Sequence, residues 1–305
     1  MPEVSVIIPT YNGRHKIGKI LKSLKEQSFK DFDTIVIIDG STDDTDAYLK
    51  SKDWGRIQLK IENQDNQGRA KVRNNGAEHA SGEFLIFLDD DMLPGSKCIE
   101  AHVNLLRKEE KSLSAGRAIE HVSDSSTGFQ KFRLELAGKW ENNLLSASMP
   151  LDDKNLFLAA ANFGIRRQDF KKLRGFDEEL KDAEDLEFAR RAFWEGFKIF
   201  YNKDAIATHN DEMTCKNYIL RLREYKNSHQ QLALMRKPYL ENCIPSYQSS
   251  LIKRILYFPF SAPFWVAVID RYKPIRIFPK SMRYKFYFLV VIALSYHFSS
   301  RNLSS

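Results

Sequence analysis

The chain has 305 residues, 43% of them hydrophobic and 29% charged, which suits one large or two modest folded domains. With 14 glycines, 10 prolines, no internal repeat and no Ser/Gly-rich or Pro-rich linker, the sequence excludes the collagen-like, coiled-coil and low-complexity classes. The net charge of +7 is unevenly divided, because residues 1–212 carry 32 Lys/Arg against 37 Asp/Glu, whereas residues 213–305 carry 15 against 3.

Apolar runs alternate with amphipathic stretches from the first residues onward. The pattern predicts strands at 4–8, 34–38, 57–61 and 84–88, each followed by a helix, near 17–24, 42–50, 70–80 and 98–109. Farther on it predicts strands at 112–120, 157–165 and 198–201, helices at 186–195 and 215–236, and apolar, aromatic stretches at 255–269 and 286–298. We therefore expect an α/β fold with a doubly wound, mostly parallel sheet, followed by a helical, aromatic and basic C-terminal extension.

The cysteines and the N-terminal residues indicate in which cellular compartment the protein is expected. Cys98, Cys215 and Cys243 lie far apart and form neither a CxxC pair nor a zinc-ligand spacing. The first residues show no basic segment followed by an apolar core, the pattern of a secretory signal. The sequence therefore predicts a protein of the reducing cytoplasm.

Three adjacent carboxylates, Asp89, Asp90 and Asp91, directly follow the apolar run 84–88. In a doubly wound sheet the ligand binds beyond the carboxyl ends of the strands, so this triplet is expected at a ligand crevice. A hard divalent cation, Mg²⁺ or Mn²⁺, with diphosphate oxygens completing its shell would relieve the repulsion between the carboxylates. The alternative is a solvated turn or a helix cap.

A phosphate-binding P-loop is a second interpretation of the N-terminal region. Residues 13–19 match the first seven positions of that motif, with Lys19 as its lysine. The eighth position must be Ser or Thr to hold magnesium, but it is Ile20, which also falls on the apolar face of the predicted helix. A P-loop phosphotransferase is therefore the least favoured of the functions considered for this sequence, and its activity would require Lys19.

Several motifs, taken in order, resemble those of family 2 glycosyltransferases. They read VSVIIPTYN at 4–12, IDGSTDD at 38–44, NQG at 66–68 with RN at 73–74, LDDD at 88–91, ANF at 161–163, RGFD at 174–177, ED at 184–185, and His209. Together they extend over about two-thirds of the chain. The resemblance implies a GT-A fold, a nucleotide-activated sugar as donor, and inverting transfer to an acceptor hydroxyl.

The resemblance also implies roles in donor binding. Pro9 and Tyr11 would line the nucleoside pocket, Asp39 would meet the base, and Arg73 would help to seat the nucleotide. Family members often show two acidic residues before Gly-Ser, whereas Ile38 replaces the first of them here. This motif therefore specifies the nucleobase of the donor less strictly than the two-acid form does, and a UDP-sugar remains the favoured donor.

The acidic triplet is assigned by the same resemblance. Asp89 and Asp91 match the two carboxylates of the DxD motif, one facing the ribose and the other the metal, with Asp91 the expected metal ligand. Asp89 is a further metal candidate, and Asp90 is assigned with Asp89 to the nucleotide-sugar site. His209 matches a position near the metal or the diphosphate, and a structural hydrogen bond in a loop is the alternative for this histidine.

Catalysis is assigned to the acidic pair Glu184 and Asp185. Asp185 matches the family's catalytic carboxylate, which takes the proton of the acceptor hydroxyl during in-line attack, while Glu184 orients. The alternative for both residues is an N-terminal helix cap, where acidic side chains suit the helix dipole. The resemblance favours the catalytic assignment.

The basic C-terminal region, residues 213–305, points to an anionic partner. Its aromatic residues cluster with Leu, Val and Ile instead of forming an exposed stacking platform, so a membrane surface fits better than a nucleic acid, and no nucleic-acid partner is expected. Neither apolar stretch should span a bilayer, since one carries Pro259 and Pro263 and the other has 13 residues. Packing of both stretches on the catalytic domain or on a second subunit is the alternative.

Together these observations predict a single-sugar glycosyltransferase, because the Gln-x-x-Arg-Trp motif of polysaccharide synthases is absent from the sequence. Its catalytic domain would be residues 1–212, with a nucleotide-binding half at 1–110 and an acceptor half at 111–212, and residues 213–305 would be the extension. We expect a glycan or lipid-linked acceptor, a part in cell-surface polysaccharide synthesis, and a cytoplasmic protein on the inner face of the membrane. The alternative from another class is a non-catalytic nucleotide- or carbohydrate-binding module.

Overall fold

The computed structural model describes residues 1–121, 126–210, 213–235, 237–240, 250–271 and 277–303. Cys243 lies outside the described residues. The chain divides into two compact units, which we call the sheet unit, Met1–His121 with Asn143–Asn210, and the helical unit, Val122–Asn142 with Asp211–Ser305. The boundary at residue 212 remains a prediction.

Strands and helices alternate through the chain. The strands are β1 (Val4–Thr10), β2 (Phe32–Asp39), β3 (Gln58–Gln64), β4 (Phe84–Leu88), β5 (Met92–Pro94), β6 (Ser112–Glu120), β7 (Asn162–Arg166) and β8 (Lys198–His209). The helices are α1 (Ile17–Lys25), α2 (Thr45–Lys50), α3 (Arg69–Glu78), α4 (Cys98–Lys108), α5 (Gly128–Ser146), α6 (Arg167–Lys172), α7 (Glu184–Trp194), α8 (Cys215–Leu234), α9 (Leu251–Tyr257), α10 (Phe264–Arg271) and α11 (Lys280–Ile292).

One sheet with the strand order β3-β2-β1-β4-β7-β6-β8-β5 organises the sheet unit. β1 pairs in parallel with β2 and β4, and β2 with β3, while β6 pairs in parallel with β8. β7 runs antiparallel to β4 and β6, and β5 runs antiparallel to β8. The expected doubly wound, mostly parallel α/β sheet is confirmed, and the carboxyl ends of β1, β2, β4, β6 and β8 lie at one edge.

The apolar runs of the central strands are continuous because both faces of the sheet are covered. Ile7, Ile35 and Leu85 belong to one buried cluster, which also receives α6 and α7 through Phe170 and Phe188. The alternate residues of the same strands, such as those at positions 6, 8, 36 and 86, belong to a second buried cluster with α1 and α4. Strands buried on both faces lose the polar alternation of a half-exposed strand, as observed here.

Several elements differ from the sequence prediction. The strand expected at 157–165 begins only at Asn162, and the strand expected at 198–201 continues to His209. The β6–β8 pairing shifts register between Gly116 and Arg117, so the polar residues at 202–204 interrupt the apolar pattern without ending the strand. α5 was not predicted, and neither were the short β5 and α6.

The helical unit has an apolar core of its own. Buried members include Phe129 and Phe132 of α5, Ile219 of α8, Val266 of α10 and Tyr287 of α11. Parts of both apolar stretches of the C-terminal region therefore pack within this unit. Among the described residues no single helix has the length and hydropathy of a membrane span. The two helical segments Leu251–Phe260 and Phe264–Arg271, which are bent by 48° relative to each other, meet these criteria only when taken together.

Candidate active site

The loops that follow β1 and β2 are joined to each other at the carboxyl edge of the sheet. The backbone N–H of Asn12 donates to Ser41 Oγ at 2.9 Å, and Asn12 Oδ1 accepts from the backbone N–H of Thr42 at 2.8 Å. Asn12 has a φ of 51°, a left-handed conformation that asparagine tolerates. These bonds fix the loop that carries Pro9, which is half-buried, and Tyr11, which is exposed and therefore available to cover a bound ring.

Asp39, at the end of β2, is buried and organises the loop before α3. Its Oδ1 accepts from Gln64 Nε2 at 2.7 Å and from the backbone N–H of Gln67 at 2.8 Å, and its Oδ2 accepts from the N–H of Gly68 at 3.1 Å. Gly68 has a φ of 88°, so a glycine is favoured at this turn into the helix. The structure thus assigns Asp39 a positioning contact, and its expected contact with a nucleobase remains a prediction.

The three carboxylates of the acidic triplet point to different partners. Asp89 Oδ1 accepts from an Arg73 amino group at 2.5 Å, and Asp90 Oδ2 accepts from Thr10 Oγ1 at 2.6 Å. Asp91 Oδ1 lies 3.6 Å from His209 Nε2. Through these contacts the triplet connects the end of β4 with α3, β1 and β8.

Arg73 is the buried centre of this network. Its guanidinium group donates to Glu184 Oε1 at 2.7 Å as well as to Asp89, so it connects the end of β4 with the start of α7. Burial opposes the positive charge, but the carboxylates of Asp89 and Glu184 raise the pKa of Arg73 above its usual value. The sequence analysis brought Arg73 and Glu184 to one site, and the structure places them in direct contact.

Asp185 lies next to this network in the first turn of α7. Burial, and then the neighbouring charge of Glu184, raise the pKa of Asp185 to about 7. Its Oδ1 accepts from the backbone N–H of Leu186 at 2.8 Å. The N-cap position of α7 is Ala183, which makes no side-chain cap bond, and Glu184 and Asp185 both lie in the first turn, where acidic side chains suit the helix dipole. The catalytic assignment therefore remains a prediction.

His209, the last residue of β8, lies between two carboxylates. Its Nε2 is 3.6 Å from Asp91 Oδ1, and its Nδ1 is 3.7 Å from Glu120 Oε2 at the end of β6. Burial alone would lower the pKa of His209, but the interactions with Asp91 and Glu120 outweigh burial and raise the pKa to about 10. Metal-bound histidines commonly direct their second nitrogen to a carboxylate, as His209 does toward Glu120.

The residues present fit a divalent cation with few protein ligands. Within the described ranges no group of three or more His, Cys, Asp or Glu side chains could hold a metal on its own. Asp91 supplies a carboxylate that suits Mg²⁺ or Mn²⁺ when a diphosphate provides further oxygens, and the imidazole of His209 beside it favours Mn²⁺ over the harder Mg²⁺. Asp89 is bound to Arg73, so its metal role remains a prediction.

Sequence reasoning missed several residues of the site. Lys16 Nζ lies 3.5 Å from Asp90 Oδ1 and 3.6 Å from Asp91 Oδ2, which places a cation beside the triplet. Glu120 was also missed, because it lies at the end of a strand far from the other motifs in sequence. The rule that ligands bind beyond the carboxyl ends of strands could have identified Glu120.

Asn162 was recognised only as part of a motif, and the structure gives it a positioning role. Its buried Oδ1 lies 3.0 Å from His102 Nε2, and its Nδ2 donates to Ala205 O at 2.9 Å and to Arg117 O at 3.3 Å. Burial lowers the pKa of His102 to about 4, so this ring stays neutral near pH 7. The amide thereby joins the start of β7 to β6 and β8, the strands that end in Glu120 and His209.

The glycines that imitate a P-loop are explained by packing. A Cβ at Gly13 would lie 2.0 Å from Thr10 Oγ1 and 2.6 Å from Asp90 Oδ2, and a Cβ at Gly18 would lie 2.4 Å from Tyr48 Oη. Lys19 is exposed on α1, and Ile20 is fully buried. The spacing therefore reflects close packing of α1 and its preceding loop.

Replacing Lys19 by alanine is accordingly expected to leave turnover within about twofold of wild type, because an exposed side chain outside the network makes little contribution. Steady-state kinetics and an ATP hydrolysis assay measure this outcome. Lys16→Ala is the contrasting variant, since it removes the cation beside Asp90 and Asp91, and we expect it to lower kcat/KM. An ATPase activity that disappears in Lys19→Ala would restore the P-loop interpretation.

Comparisons with known proteins show which family and which fold the chain resembles. The model of the family described as Glycosyl transferase family 2 matches residues 5–174. Over 143 residues the chain is 40% identical to the GalNAc(5)-diNAcBac-PP-undecaprenol beta-1,3-glucosyltransferase of Campylobacter jejuni, covering 41% of this chain and 46% of that protein. It is 31% identical over 113 residues to the Escherichia coli UDP-Glc:alpha-D-GlcNAc-diphosphoundecaprenol beta-1,3-glucosyltransferase WfgD, covering 37% of this chain and 44% of that protein. The chain thus spans less than half the length of each of these two relatives.

Among solved structures, the chain resembles the mannosyltransferase PcManGT from Pyrobaculum calidifontis, determined in complex with GDP-Man and Mn²⁺. The TM-score is 0.60 with 17% sequence identity, and the match covers 96% of this chain and 87% of that one. At this identity the likeness concerns the fold alone. It confirms the GT-A type of fold that the sequence motifs implied.

Proposed function

The chain belongs to glycosyltransferase family 2, and on that premise we propose that it transfers a single sugar, with inversion, from a nucleotide-sugar donor to the hydroxyl of a lipid-linked or glycan acceptor. The observation that carries this proposal is the buried Arg73 bridge. It joins Asp89 of the triplet to Glu184, the neighbour of Asp185, at 2.5 and 2.7 Å. One guanidinium group therefore holds the predicted donor site and the predicted base in a fixed relation.

Asp185 is proposed as the general base. A carboxylate with a pKa of about 7 is a useful base near neutral pH, since it is partly ionised and still has appreciable proton affinity. Asp185 takes the proton of the acceptor hydroxyl as the oxygen attacks the anomeric carbon from the face opposite the leaving diphosphate. Glu184 and Arg73 hold the first turn of α7, so that the base stays in position.

The leaving group gains negative charge during this displacement. A divalent cation held by Asp91 and His209 would supply Lewis-acid stabilisation of the diphosphate. Lys16 provides a positive charge of the protein itself beside Asp91, at 3.6 Å from Asp91 Oδ2. The complex of the similar mannosyltransferase with GDP-Man and Mn²⁺ supports a divalent metal here.

A UDP-sugar is the favoured donor, and a lipid-linked sugar is the favoured acceptor. The names of the two relatives describe glucosyl transfer to sugars carried on undecaprenyl diphosphate, and one names UDP-Glc as its donor. These names support UDP-glucose as the first donor to test. The strongly basic region 213–305 supports a peripheral position on the inner face of an anionic membrane, where such acceptors occur.

A transfer assay tests the proposal. The purified chain is incubated with Mn²⁺, a panel of UDP-sugars and synthetic GlcNAc- or GalNAc-diphosphoprenyl acceptors, and the products are identified by mass spectrometry. We expect one sugar to be added per acceptor, and an inverted anomeric configuration by NMR. Nucleotide binding without transfer to any acceptor in the panel would favour the non-catalytic binding module, and a retained configuration would contradict the mechanism.

The metal pair makes a separate prediction about binding. Asp91→Ala should reduce the gain in UDP affinity that Mn²⁺ provides by at least about tenfold, because one of the two ligands is lost. With a pKa of about 10, His209 is protonated near neutral pH and must lose that proton to bind a metal, so UDP binding with Mn²⁺ should release about one proton.

Calorimetry in buffers of different ionisation enthalpy measures both effects. Asp31→Asn is the matched control, because Asp31 is an exposed carboxylate directly before β2, at the opposite end of that strand from the site. That variant should retain the Mn²⁺ effect. An unchanged Mn²⁺ effect in Asp91→Ala would contradict the assignment of the metal pair.

A further inference from the structure

Helix α9 is apolar, yet it buries none of its side chains. Leu251, Ile252, Ile255 and Leu256 are 74%, 79%, 66% and 63% exposed. Four large aliphatic side chains on one short helix form an exposed patch of the kind that normally marks a binding surface. We call these four residues the α9 patch.

The α9 patch lies on one side of the helix. At 100° per residue, positions 251, 252, 255 and 256 fall within one sector, and Lys253 and Arg254 fall outside it. The opposite side attaches α9 to the helical unit, since Tyr257 stacks on His297 at 4.6 Å and the Arg254 guanidinium lies 5.5 Å from the Phe298 ring centre. The attachment therefore directs the aliphatic side chains outward.

The neighbouring helix behaves differently. α10 places Val266 and Ile269 in the core of the helical unit. The second segment of the bent pair therefore packs within the protein. Of the two helices of this pair, α9 is the one that buries none of its side chains, so its apolar side is open to another phase. An amphipathic helix of this kind lies in the plane of a membrane interface and does not need to cross the bilayer.

The positive charge of the surrounding region favours an anionic partner. Residues 213–305 carry 15 basic against 3 acidic residues. Of the acidic residues described there, Asp270 accepts from the backbone N–H groups of Cys215 and Lys216 at 2.7 and 3.1 Å, and Glu224 pairs with Arg221 at 3.2 Å. The acidic groups are thus used internally, and the surface is complementary to an anionic partner.

A second copy of the chain fits this surface less well. α9 carries Lys253 and Arg254 and no acidic residue, so a second α9 helix offers no opposite charge to the basic residues that flank the patch. A nucleic acid offers phosphates but no apolar phase for four aliphatic side chains. An anionic bilayer offers both.

We propose that α9 is an interfacial membrane anchor, which inserts the α9 patch into the headgroup–acyl boundary of an anionic phospholipid bilayer while the exposed Lys253, which flanks the patch, meets the headgroups. The proposal deepens the membrane association included in the proposed function and rests on it for its biological purpose. The inserted surface itself follows from the exposure and charge described above.

Vesicle flotation of the full chain tests the anchor. The test variant combines Leu251→Ser, Ile252→Ser, Ile255→Ser and Leu256→Ser, and it should fold as wild type because none of these side chains is buried. Leu234→Ser and Trp194→Ser are matched controls, since both residues are large, apolar and exposed on other helices. The vesicles contain phosphatidylethanolamine with or without phosphatidylglycerol.

Wild type and both controls should float with phosphatidylglycerol vesicles, and the four-serine variant should lose at least about 100-fold in partition coefficient. A Lys253→Gln, Arg254→Gln double variant should show a weaker dependence on phosphatidylglycerol and on low salt than wild type, because it removes two of the 15 basic residues of this region. Flotation of the four-serine variant equal to wild type, or no flotation of wild type, would overturn the proposal. A wild-type dimer that dissociates in the four-serine variant, measured by light scattering, would assign the patch to self-association instead.

UDP affinity, measured by calorimetry, separates this proposal from the proposed function. The four-serine variant should bind UDP as wild type does, because α9 is not part of the donor site. Vesicle binding without UDP binding would refute the donor assignment and leave the anchor intact. UDP binding without vesicle binding would refute the anchor and leave the donor assignment intact.

Discussion

Replacement of Asp185 by asparagine is expected to lower kcat by about 10³-fold, because an amide cannot accept the proton of the acceptor hydroxyl. UDP affinity should stay within about twofold of wild type, since Asp185 is assigned to the acceptor side of the reaction. The amide is close in size to the carboxyl group and can still accept from the N–H of Leu186, so the fold should be retained. Turnover close to wild type would show that another group is the base.

The pH dependence of the wild type tests the same assignment. Asp185 acts in its ionised form, and its pKa is raised to about 7, so kcat/KM should fall as the pH drops below about 7 and level off above it. Asp182→Asn is the informative control, because the charge of Asp182 contributes to the raised pKa of Asp185. This variant should keep its turnover at high pH while the acid limb moves to lower pH. An acid limb that persists in Asp185→Asn would have to belong to a different group.

Replacement of Arg73 by methionine is expected to lower the free energy of unfolding by about 3–5 kcal/mol, the usual cost of removing one partner from a buried ion pair. The side chain of Arg73 is only 5% exposed, and that of Glu184 is only 4% exposed, so the remaining carboxylate would be left in a buried environment. Turnover should fall as well, because Glu184 and Asp89 lose their common partner. Guanidinium denaturation, followed by tryptophan fluorescence, and steady-state kinetics measure the two effects.

Arg69→Met provides a matched control for this change. Arg69 pairs with Asp182 at 2.7 Å, but the Arg69 side chain is 47% exposed and that of Asp182 is 11% exposed, so the loss should be smaller than for Arg73→Met, about 1–2 kcal/mol. The double variant Arg73→Met, Glu184→Gln should recover part of the lost stability, because it removes the unpaired buried charge. Equal losses for Arg69→Met and Arg73→Met would contradict the central position given to Arg73.

Much of the fold was predictable because the central strands are buried on both faces. The run 84–88 is a strand with the expected bounds, since its five apolar residues have no other suitable environment. α5 was missed because its apolar residues do not follow a clear helical period and its first part packs in the helical unit through Phe129 and Phe132. Its identity as a helix depends on tertiary contacts that no local pattern displays.

The sequence predicted part of the candidate site but not its arrangement, since Lys16 and Glu120 were missed. The order of motifs brought Asp39, Arg73, the triplet, Glu184 and His209 to one region. The divergence of the triplet toward α3, β1 and β8 depends on partners that are distant in sequence. The three hydrogen bonds that the Asp39 carboxylate accepts likewise depend on the path of the loop before α3, which the sequence does not reveal.

Calorimetric titration of the full chain with UDP, GDP, CDP and ATP, each with and without Mn²⁺, tests most directly whether this edge of the sheet binds a nucleotide-sugar donor. We predict that UDP binds most tightly and that Mn²⁺ strengthens its binding through Asp91 and His209. Preferential binding of ATP, or no binding of any of the four nucleotides, would contradict the account.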